Sequence, residues 1–294
     1  MRILLWHGWL LEGSGSNVYA AKLTEVMRKA GHEVWLVCQE RHPERHAFLD
    51  AWATAGPDGM SSLTGNPAAT AASGRAILIR PEIGSVLPVF VLDEYEGITP
   101  RRFVDLTDAE LDEYLERNVN ALRSVAETHR PDVVIAGHAV PGPVVAARAL
   151  GGRRYLSKIH GSDIEYAVRE QQRYRRLAAE GLERGTAVIG PSADVLDRLV
   201  GLVPAVSDRI HVVHPGVDAA VFRPDPRRDA LPDAARRLEK DPALARGRLP
   251  GLDDDVARAV AARDAGALDR LALAYDQQAP DAAAPGVLRE LARE

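Results

Sequence analysis

The first forty residues constrain the fold most. Arg2-Ile3-Leu4-Leu5-Trp6 is a short apolar run without alternation, the pattern of a strand covered on both faces. Gly13 and Gly15 then break the chain into a turn. Tyr19, Leu23, Val26, Met27 and Ala30 follow at the three- and four-residue spacing of one helix face. Gly31 supplies a residue that tolerates positive φ just past the helix end. Glu33-Val34-Trp35-Leu36-Val37-Cys38 is a second strand, which completes a βαβ unit. The glycine loop of such a unit offers backbone N–H groups at the positive end of a helix dipole, an arrangement suited to a phosphate. Gly15 has no Cβ to hold an anion away. The spacing is not G-x-G-x-x-G, so a purely structural turn is the competing reading at this point.

The same alternation continues. Strands are expected at 76–79, 89–92, 132–136, 154–160, 186–190 and 209–213. Gln39 to Gly74 is rich in small residues and reads as a short helix around 47–53 followed by a loop. A long helix is expected after Thr107, whose hydroxyl and Glu110 have the capping-box spacing. Further helices are expected near 143–150, 163–183 and after Ser192. At least six strand–helix alternations point to an α/β fold with a doubly wound, mostly parallel sheet. Ligands of such sheets sit beyond the carboxyl ends of the strands. The loops of interest are therefore 7–16, 93–97, 137–142, 160–165, 190–192 and 214–218.

Composition bounds the function. The chain of 294 residues carries a net charge of −5, which gives no global argument for a nucleic-acid partner. Its one cysteine, Cys38, forms no disulfide within the chain and fits a reducing, cytoplasmic setting. No run approaches the ~20 apolar residues of a membrane span. Arg169, Arg173, Arg175 and Arg176 form a basic cluster. Its ordinary explanation is a solvated helix face, and the alternative is an anionic acceptor or the inner face of a membrane. After Phe222-Arg223-Pro224 the composition changes to Ala, Arg, Asp and Leu, with Tyr275 as the single aromatic residue. Weak helical patterns recur at 253–264 and 265–276. Domains are accordingly expected at 1–224, Rossmann-like, and 225–294, a helical appendage.

Four stretches together resemble the N-terminal domain of family-4 retaining glycosyltransferases, which have the GT-B fold. They are Glu12-Gly13-Ser14-Gly15-Ser16-Asn17-Val18-Tyr19, Lys158-Ile159-His160-Gly161-Ser162-Asp163, Val188-Ile189-Gly190-Pro191-Ser192, and Val212-Val213-His214-Pro215-Gly216-Val217-Asp218. The resemblance implies one half of a two-domain enzyme. The N-terminal domain would hold a sugar or lipid acceptor and lend its glycine loop to the diphosphate of a nucleotide-sugar donor. A C-terminal domain, absent from these residues, would carry most of the donor site. Ser14 stands where the family usually has a glycine.

On this reading Ser14, Gly15 and Ser16 meet the donor diphosphate, and His160 meets the transferred sugar or the acceptor hydroxyl. Asn17, Tyr19, Asp163 and Glu165 are candidate acceptor contacts, although Asp163 better suits a helix cap and Glu165 is left open. The resemblance implies no cofactor other than the donor substrate. The separations of His7, His138 and His160 match no metal-ligand spacing, so no metal site is expected. A non-catalytic sugar- or anionic-lipid-binding module is the main alternative, and a nucleotide-sugar epimerase a weaker one.

Overall fold

The computed structural model describes residues 1–92, 99–219, 222 and 252–278. Its contacts divide the chain into two units, Met1–Pro215 and Gly216–Glu294. The expected loop at 93–97 and much of the expected appendage lie outside the described residues.

In the first unit, β1 (Arg2–Trp6), α1 (Gly15–Lys29) and β2 (Glu33–Val37) form the expected βαβ unit. Then come β3 (Ala51–Gly56), β4 (Gly59–Met60), β5 (Thr64–Gly65), β6 (Arg75–Pro81), β7 (Val86–Val89) and β8 (Thr99–Arg102). The second half alternates α2 (Asp108–His129), β9 (Val133–Gly137), α3 (Gly142–Ala149), β10 (Leu156–Lys158), α4 (Gln172–Arg184), β11 (Ala187–Gly190), α5 (Ala193–Leu202) and β12 (Ile210–Val212). Among the described residues ten strands form one sheet. Its order is β12-β11-β10-β9-β1-β2-β6-β3-β4, with β5 beside β3. Every pairing along β12 to β3 is parallel, and only β4 and β5 run antiparallel to β3. The chain winds one way from β1 through β2 and the other way from β9. The order therefore reverses between β1 and β9, and a crevice opens at their carboxyl ends.

Alternate residues of the central strands cover the two faces. Leu5, Leu36, Ala76 and Leu78 pack with Ala21 of α1 on one side. Leu4, Trp6, Trp35, Ile77 and Ile79 pack with Leu115, Leu122 and Val125 of α2 on the other. This parity decides where the next residues go: His7, like Leu5, lies on the α1 side, while Trp6 reaches Asn118 of α2. Thr107 caps α2 as expected. It accepts from the Glu110 N–H at 3.3 Å, and its own N–H donates to Glu110 Oε2 at 2.9 Å. Thr107→Ala is expected to lower stability by about 1 kcal/mol in a denaturant titration.

Three expectations need correction. Residues 47–53 are not a helix. Ala51–Gly56 is a strand whose alanines 51, 53 and 55 are buried against β6. The helix propensity of alanine lost to the open hydrogen-bonding edge of β6. The strand expected at 89–92 lies at Val86–Val89 and pairs with β8 in a separate two-stranded parallel sheet. The buried face of α1 is not Tyr19, Leu23, Val26, Met27 and Ala30 but Asn17, Ala20, Ala21, Thr24 and Arg28. Small residues let α1 approach the sheet closely, and Arg28 is buried because Asp50 and the Thr70 carbonyl accept from its guanidinium. Val26 is left 62% exposed.

In the second unit α6 (Leu252–Ala261) and α7 (Ala265–Gln278) match the two helical patterns, and Ala259, Val260 and Leu268 form a small core. Among the described residues no helix is long and apolar enough to cross a membrane.

Candidate functional site

The crevice is built from the residues that follow β1, β9 and β10 and from the first turns of α1. At its floor the Trp6 ring fills the space under the first loop. Gly8 has φ +88°, and a Cβ there would come within 2.3 Å of that ring. Only glycine fits the turn that carries the chain over the indole.

His7 is a strut. Its Nε2–H is shared between the Leu10 carbonyl at 3.1 Å and Asn17 Oδ1 at 3.0 Å, while Asn17 Nδ2 donates to the Glu12 carbonyl at 2.6 Å. Burial pushes the His7 pKa down to about 4, so the ring is neutral near pH 7. The glycine loop is thereby tied to α1 from below. Glu40, also buried, accepts from the Leu11 N–H at 3.1 Å and secures the same loop from the β2 side.

Ser14 is the N-cap of α1. Its hydroxyl accepts from the Asn17 N–H at 3.3 Å and lies 3.2 Å from the Ser16 hydroxyl. Gly15 and Ser16 open the helix, so their N–H groups have no acceptor one turn back. Among the described residues no other acceptor takes them. A Cβ built on Gly15 would meet nothing within 4 Å. The open side of this helix end is therefore both polar and accessible.

His138 and His160 form the opposite wall. His138 has φ +68°, and its N–H donates to the Lys158 carbonyl at 2.6 Å. Its buried ring lies 4.3 Å from Trp9, 5.2 Å from Phe90, 6.0 Å from His7 and 4.5 Å from His160, between centroids. His138 Nδ1 has no hydrogen-bond partner. His160 is half-buried and meets Tyr19 edge-on at 5.5 Å. Burial, then the neighbouring His138, holds the His160 pKa far below its ordinary value. Its ring is a neutral donor and acceptor and a poor proton store. Because Tyr19 leans back over the first turn of its helix, His160 faces the end of α1 where Gly15 lies.

Asp163 braces this wall. One carboxylate oxygen accepts from the Ala139 N–H and the other from the Gly161 N–H at 2.7 Å, where Gly161 turns with φ +121°. It joins the loops after β9 and β10.

Ser14, Gly15 and Ser16 form the start of the helix whose Tyr19 meets the His160 ring edge-on, and the other candidates are engaged elsewhere. Asn17 and Asp163 are 2% and 0% exposed, and their polar atoms hold the loops together. They position the loops, and the Asp163 side chain makes no cap hydrogen bond to the helix that follows it. Glu165 is taken up by Arg169 at 2.8 Å and Arg198 at 2.6 Å, which keeps its carboxylate ionised. The basic cluster is largely spent as well. Arg173 donates to Asp108, to Gln171 Oε1 and to the Leu106 carbonyl, and Arg175 to the Arg169 carbonyl. The sequence shows no partner for His7 or His138 and marks no role for Trp9, Phe90 or Lys158. The only local signal for these was position beside a strand end. Among the described residues no three His, Cys, Asp or Glu side chains are placed to hold a metal ion.

Residues 13–221 match the family model described as Glycosyltransferase Family 4. No curated protein matches. HepE of Anabaena, solved with UDP and glucose, aligns at 14% identity and TM-score 0.45 over 81% of this chain and 50% of that one. A putative UDP-N-acetylglucosamine 2-epimerase from Listeria monocytogenes aligns at 13% and 0.40 over 80% and 51%. A trehalose-6-phosphate structure from E. coli, bound with UDP-2-fluoro glucose, aligns at 13% and 0.42 over 94% and 71%. The chain spans about half the length of the first two.

Proposed function

The chain belongs to glycosyltransferase family 4, and on that premise we propose that it is the acceptor-side lobe of a retaining hexosyltransferase. The lobe would be residues 1–224, with 225–294 as an appendage. The reaction is transfer of a sugar from a nucleoside-diphosphate donor to a sugar or lipid acceptor, in the cytoplasm and without a cofactor. A second domain, outside these residues, would carry the larger part of the donor site.

One observation carries the reading. The unengaged N–H groups of Gly15 and Ser16 begin the helix whose Tyr19 ring meets the His160 imidazole at 5.5 Å. As the glycosidic bond to the donor breaks, negative charge grows on the leaving diphosphate. N–H dipoles already fixed at a helix end stabilise that charge without rearranging. His160, neutral, accepts from one hydroxyl and donates to another, which orients the transferred sugar or the acceptor. Tyr19 offers the acceptor a ring edge and a hydroxyl. The nucleophile's proton passes to a donor phosphate oxygen, so the reading asks no side chain to store it.

Gly15→Val separates this role from a structural turn. The site of the missing Cβ is open, so the fold is expected to survive, with a melting temperature within about 2 °C of the parent. The branched side chain would occupy the space before the amides and weaken UDP- or GDP-sugar binding by roughly tenfold or more in calorimetry. Unchanged nucleotide-sugar binding would overturn the role. Binding of free acceptor sugars alone, indifferent to Gly15→Val, would favour a non-catalytic sugar-binding module. The isolated chain is expected to show no turnover, and robust turnover would refute the assignment of the main donor site to another domain.

A further inference from the structure

Lys158 ends β10 and lies two residues before His160, on the same side of the strand. The residue as a whole is 5% exposed. Among the described residues it makes no ion pair, and no hydrogen bond is formed by its ammonium. What it meets is the Tyr19 ring, with Nζ 5.3 Å from the centroid. Asp163 is the nearest opposite charge, yet its two oxygens accept from Ala139 and Gly161. The surrounding imidazoles of His7, His138 and His160 are neutral. A lysine whose ammonium meets one ring face and no anion is an arrangement that a bound anion would complete. Burial accordingly holds its pKa below that of an ordinary lysine, opposed only by the charge of Asp163.

The direction of Tyr19 tells where this cation points. A helical side chain leans toward the amino end and covers the turn before its own Cα. The Tyr19 ring therefore lies over the first turn of α1, where the Gly15 and Ser16 amides have no acceptor. Lys158 reaches the same ring. A helix end that attracts anions and a cation that lacks one thus meet the same tyrosine ring.

We propose that Lys158 and the first turn of α1 together bind one phosphoryl group, with Lys158 as the residue that makes negative charge obligatory in this pocket. The inference deepens the transferase reading and rests on it for the source of the phosphate, which is either the donor diphosphate or a phosphate carried by the acceptor. The binding site itself does not depend on transfer. The group that binds supplies the counter-charge Lys158 lacks, and the empty site is less stable for that lack.

The test titrates the 294-residue chain with inorganic pyrophosphate, UDP and glucose 6-phosphate, for the parent, Lys158→Met and Lys158→Arg. Lys158→Met is expected to weaken phosphate-ligand binding by roughly tenfold or more and to raise the melting temperature of the unliganded chain by a few degrees. Lys158→Arg keeps most of the affinity. Loss confined to pyrophosphate and UDP identifies the donor as the source. Loss confined to glucose 6-phosphate identifies the acceptor, and it upholds the site while removing support for donor binding at Gly15. A Lys158→Met chain that melts lower and binds all three ligands as the parent does would show a merely structural lysine and overturn the proposal. Pyrophosphate is also expected to raise the titration midpoint of the parent's Lys158 side-chain NMR signal by about one pH unit or more. An unmoved midpoint in saturating pyrophosphate would overturn the proposal even if the variants fail to fold. UDP-sugar binding that ignores Lys158 but depends on Gly15 refutes this inference and leaves the transferase reading in place.

Discussion

Acidifying the protein from pH 7 to about 4.5 is expected to remove several kcal/mol of folding stability, because three neutral imidazoles are packed against one another in the crevice. Burial lowers the pKa of His7 from 6.5 to about 4, and it lowers His138 and His160 as well. The sign follows from which state binds the protons. The unfolded chain takes them up near pH 6.5, whereas the folded chain resists until much lower. The contribution is therefore fully present above about 6.5 and drains away as pH falls toward 4. His7 alone accounts for about 3 kcal/mol over that window. The groups facing these rings are Asn17, Lys158 and Asp163. Asp163 works in the opposite direction, since burial raises its pKa and acid relieves its charge. One carboxylate then stands against three imidazoles. Glu40 is held well below the usual carboxylate range, so its share is lost only at still lower pH. Urea titrations at pH 7, 6, 5 and 4.5 measure the slope. His7→Gln keeps an N–H for Leu10 and Asn17 and cannot titrate in this range, so it is expected to flatten the curve by up to one proton. A stability that stays level across the window would show that these rings are not buried as described.

The second large effect is expected at Asp50. Its carboxylate accepts from Arg28 Nε at 2.8 Å, from a terminal Arg28 nitrogen at 2.7 Å and from the Ala76 N–H at 2.7 Å. The Arg28 side chain is only 3% exposed. Asp50→Ala leaves a buried guanidinium without its counter-charge, between α1 and the residues that start β3 and β6. Breaking such a pair from one side costs about 3–5 kcal/mol. For a domain of this size the melting temperature is expected to fall by roughly 10 °C. The double replacement Arg28→Met with Asp50→Leu removes both charges and is expected to recover most of the loss. If Asp50→Ala melted within about 2 °C of the parent, the pair would be no more than a solvated contact.

Several elements could be read from the residues before any coordinates. The first βαβ unit was legible because apolar runs, a glycine loop and helical spacing are local. Thr107 and Glu110 cap α2 for the same reason, since both partners lie within one turn. Ala51, Ala53 and Ala55 misled because alanine favours helices in isolation, while β6 offered hydrogen bonds that no local pattern reveals. The face of α1 misled because hydrophobicity predicts burial only on average. At close quarters with a sheet the smallest side chains go inward, and Arg28 follows because its partner waits there. At the site, Ser14, Gly15 and His160 were identifiable as ends of a loop and a strand. The engagement of Asn17, Asp163 and Glu165 is not legible in the sequence, because it depends on His7, on the Ala139 and Gly161 amides, and on Arg198.

The sequence by itself determined the alternating architecture and the loop that starts α1, because periodicity and glycine placement act over a few residues. Only the tertiary structure decided that order reverses between β1 and β9, and so that three histidines from separate loops share one crevice. Only it left Lys158 buried without an anion. Burial of a polar group depends on partners brought from far along the chain, as when Trp6 finds Asn118, and no spacing within a single element encodes that meeting.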